Sequence, residues 1–252
     1  MKTIAAVSIF LFSFAGAASA ADLPTAKSAP LAPTPALAAS DWTGVYGGLF
    51  GGYALGTADV TPTGFLASPL GAYPVKLDPR GGFAGADVGY NYQTSGGFVF
   101  GGVGDWAWAD LTGKTCVDVN GCSGAPDDSY GHGKVEWLAT LRAKAGFAPT
   151  NALFVYATGG VAFAGTNAYD NNVTGPYGMS ADATHTGWTV GAGLDYKLTS
   201  SIFLEAEYLY ADLGKQTYTY SIASGSGLSG YDLTTDIDLK LNLFKAGVGV
   251  KF

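Results

Sequence analysis

From Asn242 to Phe252 the chain alternates without a break. Phe244, Ala246, Val248, Val250 and Phe252 share one parity, and Lys245, Gly247, Gly249 and Lys251 share the other. Successive side chains of a strand point to opposite faces, so this segment is apolar on one side and small or cationic on the other. About ten residues is the length a tilted strand needs to cross a bilayer. An aromatic last residue suits the closing strand of a membrane sheet, and few other folds would leave such a face uncovered.

The N-terminus carries a matching address. Lys2 is followed by an apolar run from Ile4 to Phe14 and then by Ala18-Ser19-Ala20. A basic start, a short apolar core and a small-x-small site make a secretory signal peptide over residues 1–20. The run is too short to span about 30 Å of hydrocarbon as a retained helix. Residues 21–40 hold four prolines among Ala, Ser and Thr without hydrophobic period. They read as a flexible periplasmic tether, leaving one domain over 41–252.

Thirteen basic and 20 acidic residues give a net charge of −7. Removing Lys2 with the leader makes it −8, and this acidic balance argues against nucleic acid or anionic lipid as a partner. Only 13% of residues are charged, while 38 are glycine and 13% are aromatic. The charged share is about half that of soluble domains. Cys116 and Cys122 lie close together in a chain bound for an oxidising compartment, so a small-loop disulfide is expected. No Cys/His spacing suggests a metal, and no cofactor is expected.

The alternation recurs along the domain. Trp188, Val190, Ala192, Leu194, Tyr196 and Leu198 oppose Gly187, Thr189, Gly191, Gly193, Asp195 and Lys197. Trp137, Ala139, Leu141, Ala143, Ala145 and Phe147 oppose Glu136, Leu138, Thr140, Arg142, Lys144 and Gly146. Ile202 to Ala211 repeats the pattern, and weaker versions run over 83–93, 98–111 and 153–164. The stretch Trp42–Leu55 is too glycine-rich for its face to be assigned. Short turns at 94–97, 149–151 and 199–200 alternate with polar links of roughly twenty residues at 56–80, 112–134, 166–184 and 214–237. The expectation is an all-β, eight-stranded antiparallel up-and-down transmembrane β-barrel with short periplasmic turns and four long outer loops.

With that topology the outward aromatics sort by height. Trp106, Trp108, Trp137, Phe163, Trp188, Tyr208 and Tyr210 fall near the outer ends. Tyr90, Tyr92, Phe98, Phe147, Tyr196 and Phe252 fall near the periplasmic ends, giving two interfacial girdles. A helical reading of 145–169 fails because Pro149-Thr150-Asn151 and Gly159-Gly160 interrupt it, and a spacing of two spreads residues around a helix. A secreted sandwich would not line its outer faces with Trp and Leu.

Several stretches resemble a known family. Trp42-Thr43-Gly44-Val45-Tyr46-Gly47-Gly48, Gly187 to Gly193, Glu205 to Gly214 and the Phe252 ending are similar to the small alphaproteobacterial outer-membrane surface antigens, porin-like relatives of the outer-membrane protein A transmembrane domain. The resemblance implies a cell outer-membrane location, a structural role in envelope integrity and surface display towards a host or the environment. It implies contact with outer-membrane lipid and lipopolysaccharide, and recognition of the strand ending at Phe252 by the barrel-assembly machinery. Some members are associated with haem, which makes His132 and His185 the haem-ligand candidates. No catalytic motif carries over, and no enzyme is expected. No peptidoglycan-binding domain is expected after Phe252, so attachment to the cell wall would use the tether.

On the assigned faces the inward charges are Asp87, Asp105, Asp195, Glu205 and Glu207 against Arg142, Lys144, Lys197, Lys245 and Lys251. An eight-stranded barrel is only wide enough for its own side chains, so these groups should pair across the lumen. The expected result is a charge network that closes the lumen, with Glu205 and Glu207 beside Lys245. A small-conductance porin is the alternative, and a haem-binding or adhesion receptor acting through tyrosine-rich outer loops (Tyr169, Tyr177, Tyr218, Tyr220, Tyr231) is the third reading. Asp127-Asp128 reads as solvated loop rather than an acid/base pair, and Asp118, Asn120 and Asp127 match no calcium loop.

Overall fold

The computed structural model describes residues 41–67, 72–117, 122–123, 130–170, 179–222 and 233–252. The leader and tether, and with them Asp118, Asn120, Asp127, Asp128, Tyr177 and Tyr231, lie outside the described residues.

One antiparallel sheet contains every described strand. In chain order these are β1 (Gly44–Thr63), β2 (Val75–Leu77), β3 (Arg80–Gln93), β4 (Phe98–Cys116), β5 (Tyr130–Phe147), β6 (Leu153–Asp170), β7 (Met179–Lys197), β8 (Ile202–Thr219), β9 (Ser221–Ile222) and β10 (Leu233–Lys251), with one helical turn, α1 (Gly64–Ala67). The long strands pair in up-and-down order, and β10 pairs with β1 from Tyr46↔Lys251 to Thr63↔Thr234. The sheet therefore closes on itself, which satisfies the edge groups that an open sheet would expose. Two short strands depart from the expected eight. β2 pairs with β1 in the same register as β3, continuing that ladder beyond Arg80, and β9 pairs with β7.

The turn ends of the strands hold the tight connections. At 94–97 the Gly97 amide donates to the Thr94 carbonyl at 3.0 Å, and Gly97 sits at φ +83°, where a side chain would be strained. Thr150 and Thr199 hydroxyls accept from the Leu153 and Ile202 amides at 3.1 and 2.9 Å in the other two turns.

The strands are longer than the sequence reading allowed. β1, β4, β7 and β10 run 19 or 20 residues, about twice what crosses a bilayer. Much of the described part of 56–80, 112–134, 166–184 and 214–237, expected as links, is sheet. The reason is a reversal of pattern along each strand. On β10, Phe244, Val248 and Val250 face outward, whereas Ile237, Leu239, Leu241 and Leu243 of the opposite parity are buried inside. Above the apolar band the outer wall turns polar, with ion pairs such as Lys134–Asp110 at 3.4 Å and Lys215–Asp236 at 3.5 Å. Composition there resembles a loop, yet one face still packs inward.

Bulges tune the parity. Register shifts occur between Trp108 and Leu111, between Val135 and Trp137, and between Asp238 and Lys240. The second places Val135 inside and leaves Glu136 exposed, so Glu136 does not share the inward face expected from simple alternation. The face of β1 resolves as well: Val45, Leu49, Tyr53 and Leu55 are exposed, and Tyr46, Phe50 and Ala54 are buried.

The outward aromatics form two bands. Around the loop side, Trp106 packs on Trp108 at 4.3 Å, Trp188 on Tyr210 at 5.5 Å and Tyr208 on Phe244 at 5.3 Å. Around the turn side, Phe98 packs on Phe147 at 5.4 Å, with Tyr90, Tyr92, Tyr196 and Phe252 exposed nearby in height. Such bands suit the two interfaces of a bilayer.

Candidate functional site

The interior is filled in layers. Towards the turn end, Trp42, Tyr46, Val99, Val103, Phe154, Tyr156 and Phe203 make one apolar cluster. Towards the loop end, Phe50, Phe83, Leu111, Leu209, Leu213, Leu241 and Leu243 belong to a larger one. Eight charged side chains, among them Asp87 between Phe83 and Asn91 on β3, occupy the height where the two clusters meet.

Arg142 on β5 is the hub. Its Nη2 lies 2.5 Å from Asp105 Oδ2 on neighbouring β4, and its Nη1 lies 2.6 Å from Glu207 Oε1 on β8. Its Nε donates to Thr140 Oγ1 at 2.7 Å. The arginine side chain has no exposed area, and a guanidinium forked between two carboxylates is the strong form of such a contact. Lys245 on β10 lies 3.0 Å from Asp87 on β3, 3.5 Å from Glu205 and 3.8 Å from Glu207. Its Nζ also sits 4.0 Å from the Phe50 ring centre. Lys144 meets Asp195 at 3.2 Å and lies 3.7 Å from the Tyr156 ring centre. Each cation thus combines a carboxylate with a π-face or hydroxyl, which offsets part of the cost of leaving water.

Strand order alone would set acids against acids. Asp87 is directly opposite Asp105, and Asp195 is directly opposite Glu205. Like charges at such positions are destabilising, and the cations relieve them, Arg142 on Asp105 and Lys245 on Glu205 from the next strand and Lys245 on Asp87 and Lys144 on Asp195 from non-adjacent strands. The glycines at 48 and 247 make the space: a Cβ on Gly48 would lie 2.8 Å from Asp87 Oδ1, and one on Gly247 would collide with Glu205 Oε1.

Two of the ten expected network members stand apart. Lys197 Nζ and Lys251 Nζ donate to the Asp41 carbonyl at 2.8 and 2.6 Å, and Lys251 lies 3.3 Å from the Asp41 carboxylate. Lys197 also lies 4.2 Å from the Trp42 ring centre. The two lysines fasten the start of the domain at the turn end. The expected balance of five acids and five bases becomes five acids against Arg142, Lys144 and Lys245 at the centre. Asp41 went unassigned because a residue at a domain boundary gives no periodic signal.

The two histidines are not equivalent. His185, expected in or beside a loop, is fully buried on β7. Its Nε2 lies 2.8 Å from the Tyr218 hydroxyl and its Nδ1 is 3.3 Å from the Gly214 carbonyl, so both nitrogens are engaged. Tyr218 in turn contacts Thr166 and is buried, which removes it from the expected loop surface. His132 stacks on Tyr169 at 4.9 Å with the rings 2° from parallel. Cys116, the last residue of β4, forms a disulfide with Cys122. Among the described residues, no group of three His, Cys, Asp or Glu side chains is arranged to hold a metal ion.

A closed antiparallel sheet with an apolar outer band, aromatic borders and a filled interior defines an integral protein of the bacterial outer membrane. The chain belongs to the outer membrane protein beta-barrel domain family, which matches residues 25–252. It is 36% identical over 226 residues to the 31 kDa outer-membrane immunogenic protein of Brucella melitensis biotype 1, covering 86% of this chain and 89% of that protein. It is 31% identical over 228 residues to a 22 kDa outer membrane protein of Rhizobium leguminosarum bv. viciae, covering 90% and 83%. In fold it matches the outer membrane protein OprG of Pseudomonas aeruginosa with a TM-score of 0.50 at 16% identity, covering 85% of this chain and 98% of that one. The protein resides in the outer membrane of a Gram-negative bacterium.

Proposed function

We propose that the chain is an eight-stranded transmembrane barrel acting as a structural and surface-display protein of the outer membrane, with its lumen closed by the charge layer. The observation that carries this reading is Arg142, wholly buried and forked between Asp105 and Glu207, with apolar clusters above and below it. Each of the five acids there lies within 3.8 Å of Arg142, Lys144 or Lys245, and an eight-stranded barrel has little room beyond its own side chains.

Long strands then carry the loops well clear of the lipid on a rigid, polar wall. Display of loops fits the immunogenic character in the relative's name. The loop end faces outside and the turn end faces the periplasm, as in barrels of this type. The outer band contacts lipid and lipopolysaccharide, and the strand ending at Phe252 is what the barrel-assembly machinery engages. Anchorage in the membrane, rather than transport or catalysis, is the contribution to envelope integrity.

Proteoliposomes in an isosmotic solution of a small sugar test the reading. Swelling no faster than protein-free vesicles is the expected result. Swelling that scales with the amount of folded protein would replace it with a small porin.

A further inference from the structure

Above the charge layer and the apolar cluster, the loop end of the closed sheet holds a cavity of about 250 Å³. Val60, Leu66, Val75, Leu77, Ile237 and Leu239 form much of its wall. It exists because the strands continue past the apolar band with their apolar face turned inward, and α1 and β2 fold against β1 at that height.

Its polarity is specific. At the cavity wall, Thr166 and Tyr218 bond each other, Thr166 donates to the Ala183 carbonyl at 3.0 Å, and Tyr218 also contacts His185 at 2.8 Å. These hydroxyls are already satisfied from within the protein. Lys134 borders the cavity, but its Nζ is drawn to Asp110 at 3.4 Å on the outer wall. His132 also lines it, stacked on Tyr169, and among the described lining residues there is no Asp, Glu or Arg and no second Lys. An ionised or strongly polar guest would leave water without compensation, whereas a hydrocarbon surface would gain from burial. An apolar cavity of 150 Å³ accommodates benzene, so this one has room for a substituted or fused ring.

We propose that the cavity is a binding site for a small uncharged apolar molecule of one or two aromatic rings. The guest enters from the loop end and is held by the aliphatic wall, with no part played by the buried charges below.

Naphthalene is a suitable probe, added to the full-length mature barrel in lipid nanodiscs with 13C-labelled Ile, Leu and Val methyl groups. Saturable shifts at Ile237, Leu239 and Val75 are expected, while lipid-facing Leu194 and Val248 respond only linearly, as bulk partitioning requires. Naphthalene-2-sulfonate should bind at least tenfold more weakly. V60W, which fills the space, should weaken naphthalene by tenfold or more while its methyl spectrum elsewhere stays that of the folded barrel. Non-saturating shifts at Ile237 and Leu239, identical in slope to those of Leu194, would overturn the proposal without reference to any variant. Equal affinity for the sulfonate would overturn it as well.

Discussion

Arg142 Nη1 lies 2.6 Å from Glu207 Oε1, although β5 and β8 are separated in the sheet by β6 and β7. The contact therefore spans the interior rather than running along the wall. It ties opposite sides of the closed sheet at a height where a channel would need free space. Most of what the protein is expected to do, and not do, follows from this crossing.

Arg142→Met removes the hub and leaves Asp105 and Glu207 buried without their shared cation. Breaking a buried pair in this way costs about 3–5 kcal/mol. The urea unfolding midpoint in lipid vesicles should fall accordingly. Lys251→Met provides the contrast, because its partner Asp41 is largely exposed, and a loss within about 1 kcal/mol is expected. Equal losses for the two variants would count against the layered arrangement.

Gly247 has a narrower role. A Cβ there would lie 2.6 Å from the Leu49 carbonyl oxygen and collide with Glu205 Oε1. Gly247→Ala should cost about 1–3 kcal/mol as an overpacked site. Gly102→Ala, whose nearest neighbour would be the Arg142 carbonyl at 3.8 Å, should leave the midpoint in place. Both are read from the same vesicle unfolding curves.

Leu241 is fully buried in the loop-side cluster. Its truncation to alanine should destabilise by about 2–5 kcal/mol, as for other buried leucines. That magnitude would establish the upper interior as a true core. A loss under 0.5 kcal/mol would mean that water already occupies it.

The position of the membrane is open to a paired test on β7. Ala192 lies on the outward face between Trp188 and Tyr196, and Thr184 lies on the same face beyond Trp188. Arginine at a bilayer midplane costs about 2–4 kcal/mol and near the interface about 0–1. Ala192→Arg should therefore lower the unfolding free energy by the larger amount and Thr184→Arg by the smaller. The reverse order would misplace the apolar band.

The lower half of each strand was legible because lipid inverts the usual rule. On β10 Phe244, Val248 and Val250 point outward while Lys245, Gly247 and Gly249 share the other parity, and the same contrast on β5 and β8 makes Arg142, Glu205 and Glu207 stand out by parity. The upper half was hidden by the opposite arrangement. Ile237 and Leu239 face inward while Asp236, Asp238 and Lys240 face out, and composition alone makes that stretch look like a loop. A search for continuing alternation, regardless of which parity was apolar, would have extended the strands. The partners within the charge layer were partly readable: Lys245 with Glu205 and Glu207 are on paired strands. The Arg142–Glu207 and Lys245–Asp87 contacts were not, since across-barrel reach depends on closure and stagger that one sequence does not display. His185 was misjudged because it borders the expected 166–184 link, whereas β7 runs unbroken from Met179 past it to Lys197.

The most direct test of the central claim is single-channel recording from the refolded mature protein in planar bilayers, alongside a Glu205→Ala/Glu207→Ala variant. The charge layer and the two apolar clusters predict no steady conductance steps from the wild-type barrel. Stable, ion-selective openings in the wild type, altered in the variant, would contradict that prediction and make the interior a conduit.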